Sequence, residues 1–166
     1  MGGGYGGRLR DREIERLAEV ARERLGAASG DGKRHVFISF ANEDLNDVNM
    51  LRGQAKNQSS ELEFDDLSLR EPFDSKNVEY IKNGIRERID RASVTVVFLS
   101  PESAKSKWVD WEVTESLSRG KGVVGVYKGD RQPDELPPAF QAGGCKAVRW
   151  THEGLAKAIE DASRKR

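Results

Sequence analysis

Apolar residues in this chain fall into two spacings that alternate along most of its length. Residues 36–40, 94–99 and 123–127 are near-continuous apolar runs, as expected of strands covered on both faces. Between them, Val78, Ile81, Ile85 and Ile89 recur at helical spacing, and so do Val109, Val113 and Leu117. Residues 44–57 read as a further helix, 62–65 as a short second strand and 147–150 as a fifth. Gly120 suits the position just past the end of the Val109 helix. Thr151 can cap a last helix whose apolar stripe is Leu155, Ala158, Ile159 and Ala162.

Strands alternating with helices imply an α/β fold, a flavodoxin-like, doubly wound, parallel five-stranded sheet with right-handed crossovers. The amino-terminal part has a different character. Residues 1–7 are glycine-rich, 8–25 form a densely charged helical pattern with Ile14, Leu17, Ala21 and Leu25 on one stripe, and 26–32 read as a flexible linker. The expected division is therefore an extension over 1–33 and an α/β domain over 34–166. Residues 128–146, with Pro133, Pro137 and Pro138, form a long connection of the kind that often serves as a binding loop or lid.

Composition narrows the function classes. Lys and Arg number 28 and Asp and Glu 28, so no global field favours nucleic acid or an anionic membrane. Cys145 is the single cysteine, which excludes a disulfide framework and a cysteine zinc cluster. His35 and His152 are far apart, so no metal site is expected. No stretch approaches the ~20 apolar residues of a membrane span, and no apolar leader opens the chain, so a cytoplasmic protein is expected.

The most informative stretch runs from the third strand into the Val109 helix. Trp108 and Glu112 lie one turn apart on that helix, just past a strand end, where ligands bind in open parallel sheets. At about 100° per residue, Glu112 borders the buried stripe, so its carboxylate is either partly desolvated for function or paired with a nearby cation. Trp108 offers either a stacking wall for a flat ring or a core aromatic. Phe40, Ala41 and Asn42 end the first strand and should line the same crevice. Asn42 could equally be a turn or cap residue. Asp66 ends the second strand and reads most simply as a solvated turn carboxylate. Ser100 and Ser103 sit over the crevice or cap the next helix. Trp111 falls nearly opposite the Val109 stripe and is expected to be exposed, as at a contact surface.

Val36-Phe-Ile-Ser-Phe40, the strand 94–99 with Ser100-Pro101, and Trp108-Val-x-x-Glu112 resemble, in order and spacing, the blocks of the Toll/interleukin-1 receptor (TIR) domain. The resemblance covers roughly residues 35–127. It is closest to TIR domains that cleave NAD+ and to TIR-like proteins of bacterial Thoeris anti-phage defence. It implies that Glu112 is catalytic, that NAD+ is substrate with no further cofactor, and that a cyclic ADP-ribose-type product is read by an effector. It also implies a homo-oligomer through TIR–TIR contacts, with the loop 66–75 touching a neighbour, here through Leu69, Pro72 and Phe73; the exposed Trp111 offers a second anchor and the 8–25 helix a third surface. That loop lacks the Pro-Gly step common in the family. Three rivals stand beside this: a non-enzymatic TIR scaffold, a receiver domain and a dinucleotide-binding dehydrogenase. Ser100 occupies the place where a receiver needs its phosphoacceptor Asp, and no G-x-G-x-x-G follows the first strand.

Overall fold

Five strands align in one sheet in the order β2-β1-β3-β4-β5. They are β1 (Arg34–Ser39), β2 (Leu62–Asp65), β3 (Val94–Leu99), β4 (Gly122–Tyr127) and β5 (Lys146–Arg149). The computed structural model describes residues 34–58, 62–65, 73, 76–151 and 154–164. The extension 1–33, where a charged helix is expected, and Asp66, Leu69 and Pro72 lie outside the described residues.

The pairings β1–β3, β3–β4 and β4–β5 are parallel, with Val36 opposite Val94, Val96 opposite Val124 and Val126 opposite Val148. The chain runs from β1 outward to β2, then returns past β1 to β3. Strand order therefore reverses between β1 and β3, which is where crevices open at the carboxyl ends of such sheets.

Period-two alternation sorts the strand residues between two faces. Val36, Ile38 and Phe40, with Val94, Val96 and Phe98, pack against Val48 and Leu51 of α1 (Leu45–Gln58) and Leu155, Ala158 and Ile159 of α6 (Gly154–Arg164). On the other face, Phe37 meets Ile81, Ile85 and Ile89 of α2 (Val78–Arg91). Val97 and Leu99 meet Val109 and Val113 of α4 (Lys107–Ser118). Each fully buried isoleucine contributes roughly 1.5–3 kcal/mol relative to exposure. The expected caps hold: Gly120 takes φ 75° after α4, and Thr151 Oγ1 accepts the Gly154 N–H at 2.9 Å.

Three connections carry more structure than their polarity suggested. Residues 100–106, whose composition shows no apolar stripe, contain α3 (Pro101–Lys105). A capping box makes so short a helix possible: Ser100 Oγ accepts from the Ser103 N–H, and Ser103 Oγ accepts from the Ser100 N–H, both at 3.0 Å. The helix expected over 44–57 starts at Leu45, after a 3-10 turn over Asn42–Asp44. The long proline-bearing connection folds into α5 (Pro138–Ala142), anchored by buried Phe140 and by Asp110 Oδ1, which accepts the Ala139 N–H at 2.7 Å.

Two glycines test the packing from opposite sides. A Cβ on Gly125 of β4 would come within 2.6 Å of both Leu99 and Phe140, whereas one on Gly53 of α1 would meet nothing within 4 Å. Gly125→Ala should lower unfolding stability by about 1–3 kcal/mol, and Gly53→Ala should raise it by about 0.4–1 kcal/mol. Urea unfolding of both variants checks the pair, and the account of this core fails if Gly125→Ala is neutral.

Candidate functional site

The site is assembled by the chain that leaves β3. Ser100 caps α3, and Ser106 then caps α4 by accepting the Val109 N–H at 3.1 Å. Two caps six residues apart turn the chain twice and set α4 against the sheet, with Trp108 and Glu112 on its inward side. Glu112 is 1% exposed, so it lies beneath the surface and not at the stripe's border as its spacing suggested. Its Oε1 accepts a 2.6 Å hydrogen bond from Ser39 Oγ, the last residue of β1. One turn further along α4, Ser116 Oγ donates to the Glu112 carbonyl at 2.9 Å and accepts from Thr95 Oγ1 of β3 at 2.8 Å. A polar seam thus runs inside an otherwise apolar interface, and each buried oxygen in it finds a partner, as buried polar groups must.

Trp108, 6% exposed, is built into the core beside Phe37 and Ile81. Phe73 packs edge-on against it with centroids 4.9 Å apart, and Trp111 does so at 6.0 Å. Trp111 is half-buried, not exposed as expected. The Lys82 ammonium lies 5.1 Å and the Arg86 guanidinium 5.3 Å from its ring centroid, so cations from α2 roof a face that helical spacing alone left open. Lys82 also stands 4.6 Å from the Phe73 centroid. Phe73 and Trp111, expected as anchors for a neighbour, are thus engaged within their own chain. What remains accessible of them lines a cavity of about 350 Å³ with Lys105, Lys107 and Pro138.

The other crevice residues divide. Phe40 and Ala41 are each 1% exposed and belong to the core on the α1 side, with the Arg52 guanidinium 5.8 Å from the Phe40 centroid. They support the crevice floor and do not line its open surface. Asn42 is exposed and opens the 3-10 turn. Ser103 is fully buried and its hydroxyl is committed to the capping box. Ser100 does more than cap: its Oγ donates to Asp44 Oδ2 at 2.5 Å, joining the loops that follow β1 and β3. Burial pushes the Asp44 carboxyl above its ordinary value, the Ser100 hydrogen bond opposes this, and Asp47, Glu102 and Glu43 add to the rise.

Asp44 and Ser39 are the two site residues that sequence reasoning passed over. Ser39 had a visible signal, a hydroxyl at an inward position of an apolar run, which demands a partner. Asp44 did not, because a carboxylate at a helix start is ordinarily a capping feature. No group of three or more potential metal ligands gathers among the described residues. No described helix is long and apolar enough to cross a membrane. A cavity of about 680 Å³ lies at the opposite, amino end of β4 and β5, lined by Gly122, Lys146 and Ala162 among others. Its distance from the strand order reversal separates it from Glu112 and Asp44.

Comparison with known proteins fits this geometry. Residues 37–133 match the family described as Thoeris protein ThsB, TIR-like domain. A relative from Bacillus cereus (strain MSX-D12), named "Putative cyclic ADP-D-ribose synthase ThsB1", is 29% identical over 99 residues, 57% of this chain and 51% of the relative. The chain thus spans about half the length of the curated relative it matches. The solved TIR domain of the Toll-related receptor TRR-2 from Hydra magnipapillata superposes with TM-score 0.50 at 18% identity, covering 76% of this chain and 91% of that one. At that identity the likeness shows the fold.

The Ser39–Glu112 bond can be weighed directly. Ser39→Ala removes a donor from a buried carboxylate and should cost about 1–3 kcal/mol. In a Glu112→Gln background the same change should cost measurably less, because the acceptor is then neutral. Thermal and urea unfolding of the four proteins gives the coupling energy, and a coupling of zero would mean that the bond contributes nothing.

Proposed function

The chain belongs to the Thoeris ThsB family of TIR-like domains, and from that premise we propose that it cleaves the nicotinamide–ribose bond of NAD+, with Glu112 as the charged group at the reacting centre. The observation that carries this is a carboxylate with 1% exposure, held by Ser39 at the carboxyl end of β1, beside the point where strand order reverses. The name of the Bacillus cereus relative, "Putative cyclic ADP-D-ribose synthase ThsB1", supports NAD+ as the substrate class and a cyclic ADP-ribose-type product.

The chemistry needs little from the protein beyond charge and position. The bond between the ribosyl carbon and the pyridinium nitrogen breaks, and its electron pair stays on nitrogen. Nicotinamide therefore leaves neutral and needs no general acid, so one carboxylate suffices where glycosidases use two. Positive charge develops on the ribosyl ring, and a carboxylate in a dry site stabilises it far more than one in water. Water or a nucleophile within the same molecule then captures the ring. Glu112 is sealed in the conformation described here, so turnover includes an opening step that brings substrate to it.

That same seal favours a second reading, in which Glu112 is a structural carboxylate and the domain acts as a non-enzymatic TIR interaction module. A nicotinamide-release assay separates the two. Wild type should release nicotinamide from NAD+, and Glu112→Gln should lose at least about a hundredfold in rate while melting within a few degrees of wild type, since Gln still accepts from Ser39. Running the assay over a protein concentration series shows whether assembly contributes, because specific activity would then rise with concentration. Full activity in Glu112→Gln removes the catalytic assignment, and an inactive wild type at every concentration favours the scaffold.

A further inference from the structure

The catalytic reading leaves one carboxylate at the crevice without a task. Asp44 sits in the 3-10 turn that follows β1, and its backbone N–H donates to the Ala41 carbonyl at 2.8 Å, which fixes the turn. Its Oδ2 is held by Ser100 Oγ at the end of β3, so the side chain bridges the two strands between which the sheet reverses. Among the described residues, Oδ1 takes no hydrogen bond, and it is not among the fully buried polar atoms left without a partner. One oxygen is thus immobilised while the other is uncommitted. A hydroxyl-bearing ligand meets a pre-positioned acceptor there.

The surroundings say which part of a ligand fits. Glu43, Asp47 and Glu102 all act on Asp44 with negative charge, and of these Asp47 is paired, with Lys128 at 3.0 Å. Such a mouth disfavours a pyrophosphate and favours a neutral or cationic group. In a dinucleotide bearing a pyridinium, that group is the ribose next to the pyridinium ring. We infer that Asp44 is a substrate-binding residue, accepting through Oδ1 from the vicinal hydroxyls of the nicotinamide-side ribose while Ser100 fixes its other oxygen. This rests on the NAD+ reading of the same crevice and assigns a second carboxylate to it, distinct in role from Glu112.

Folding disfavours the ionised form of Asp44, through burial first, which separates a binding role from a structural one. An acid whose pKa is raised by folding favours the folded state fully only below its unfolded pKa, and that contribution is lost as pH rises through the folded value. The ionised form is therefore a burden on stability. Asp44→Asn removes the charge, keeps the side-chain shape and can keep the bond from Ser100 on its amide oxygen. The amide nitrogen then faces the crevice, a donor where the substrate hydroxyls need an acceptor.

The test uses the full chain carrying Glu112→Gln, so that NAD+ is bound and not consumed. Calorimetry measures NAD+ and an NAD+ analogue lacking both hydroxyls on the nicotinamide-side ribose, with Asp44 intact and with Asp44→Asn added. The analogue should bind about tenfold or more weakly than NAD+ when Asp44 is present. Asp44→Asn should weaken NAD+ by a similar factor and the analogue hardly at all, with an unchanged or higher melting temperature at pH 7. An analogue that binds as tightly as NAD+ overturns the inference whether or not Asp44→Asn folds. So does unaltered NAD+ affinity in Asp44→Asn, while nicotinamide release by the otherwise native chain would leave the NAD+ reading standing. If NAD+ binds neither protein and the otherwise native chain releases no nicotinamide, the NAD+ reading falls and this inference falls with it.

Discussion

A carboxylate cannot be enclosed between a helix and a sheet unless hydrogen bonds meet it there, because an unpaired buried charge costs several kcal/mol. Glu112 imposes that condition on this fold. The Ser39 hydroxyl has to stand at the last position of β1, α4 has to pass over that position, and the two caps at Ser100 and Ser106 have to aim α4 correctly. Thr95 and Ser116 continue the same polar seam one turn away. An apolar pair could fill the same space at no desolvation cost, so the seam is held by its hydrogen bonds and not by burial alone.

Much of the architecture was legible in the residues, and the reason is burial. Strands covered on both faces need continuous apolar runs, and helices lying on them need a stripe, so 94–99 and the Ile81, Ile85, Ile89 series identified β3 and α2 directly. Strand edges shifted by a residue or two, because pairing with a neighbour extends a strand past its last apolar side chain, as at Arg34 and Lys146. Short helices were not legible. α3 exists through its local capping box, and α5 through the buried Phe140 ring and a bond to Asp110, distant in sequence; such features leave no periodicity.

The candidate site was legible in identity and not in environment. Spacing places Trp108 and Glu112 on one face of α4, but how deep that face sinks depends on helices from elsewhere in the chain. Trp111 shows the point most clearly: its exposure was set by Lys82 and Arg86 of α2, which no reading confined to α4 would include. The Ser100–Asp44 contact joins residues 56 apart in sequence and arises only once β1 and β3 are neighbours. Together, Glu112 beneath the carboxyl end of β1 and Asp44 after it describe a crevice with a buried carboxyl group and an acidic rim. That arrangement suits a substrate whose reacting end is cationic.

The central claim is that Glu112 acts on the ribose of NAD+ after the crevice opens. A crystal structure of the full chain with a non-cleavable NAD+ analogue tests it most directly. The account predicts the Glu112 carboxylate within hydrogen-bond distance of the nicotinamide-side ribose, with the Ser39 contact broken or shared. A bound analogue that leaves Glu112 sealed against Ser39, with its ribose elsewhere on the domain, would contradict it.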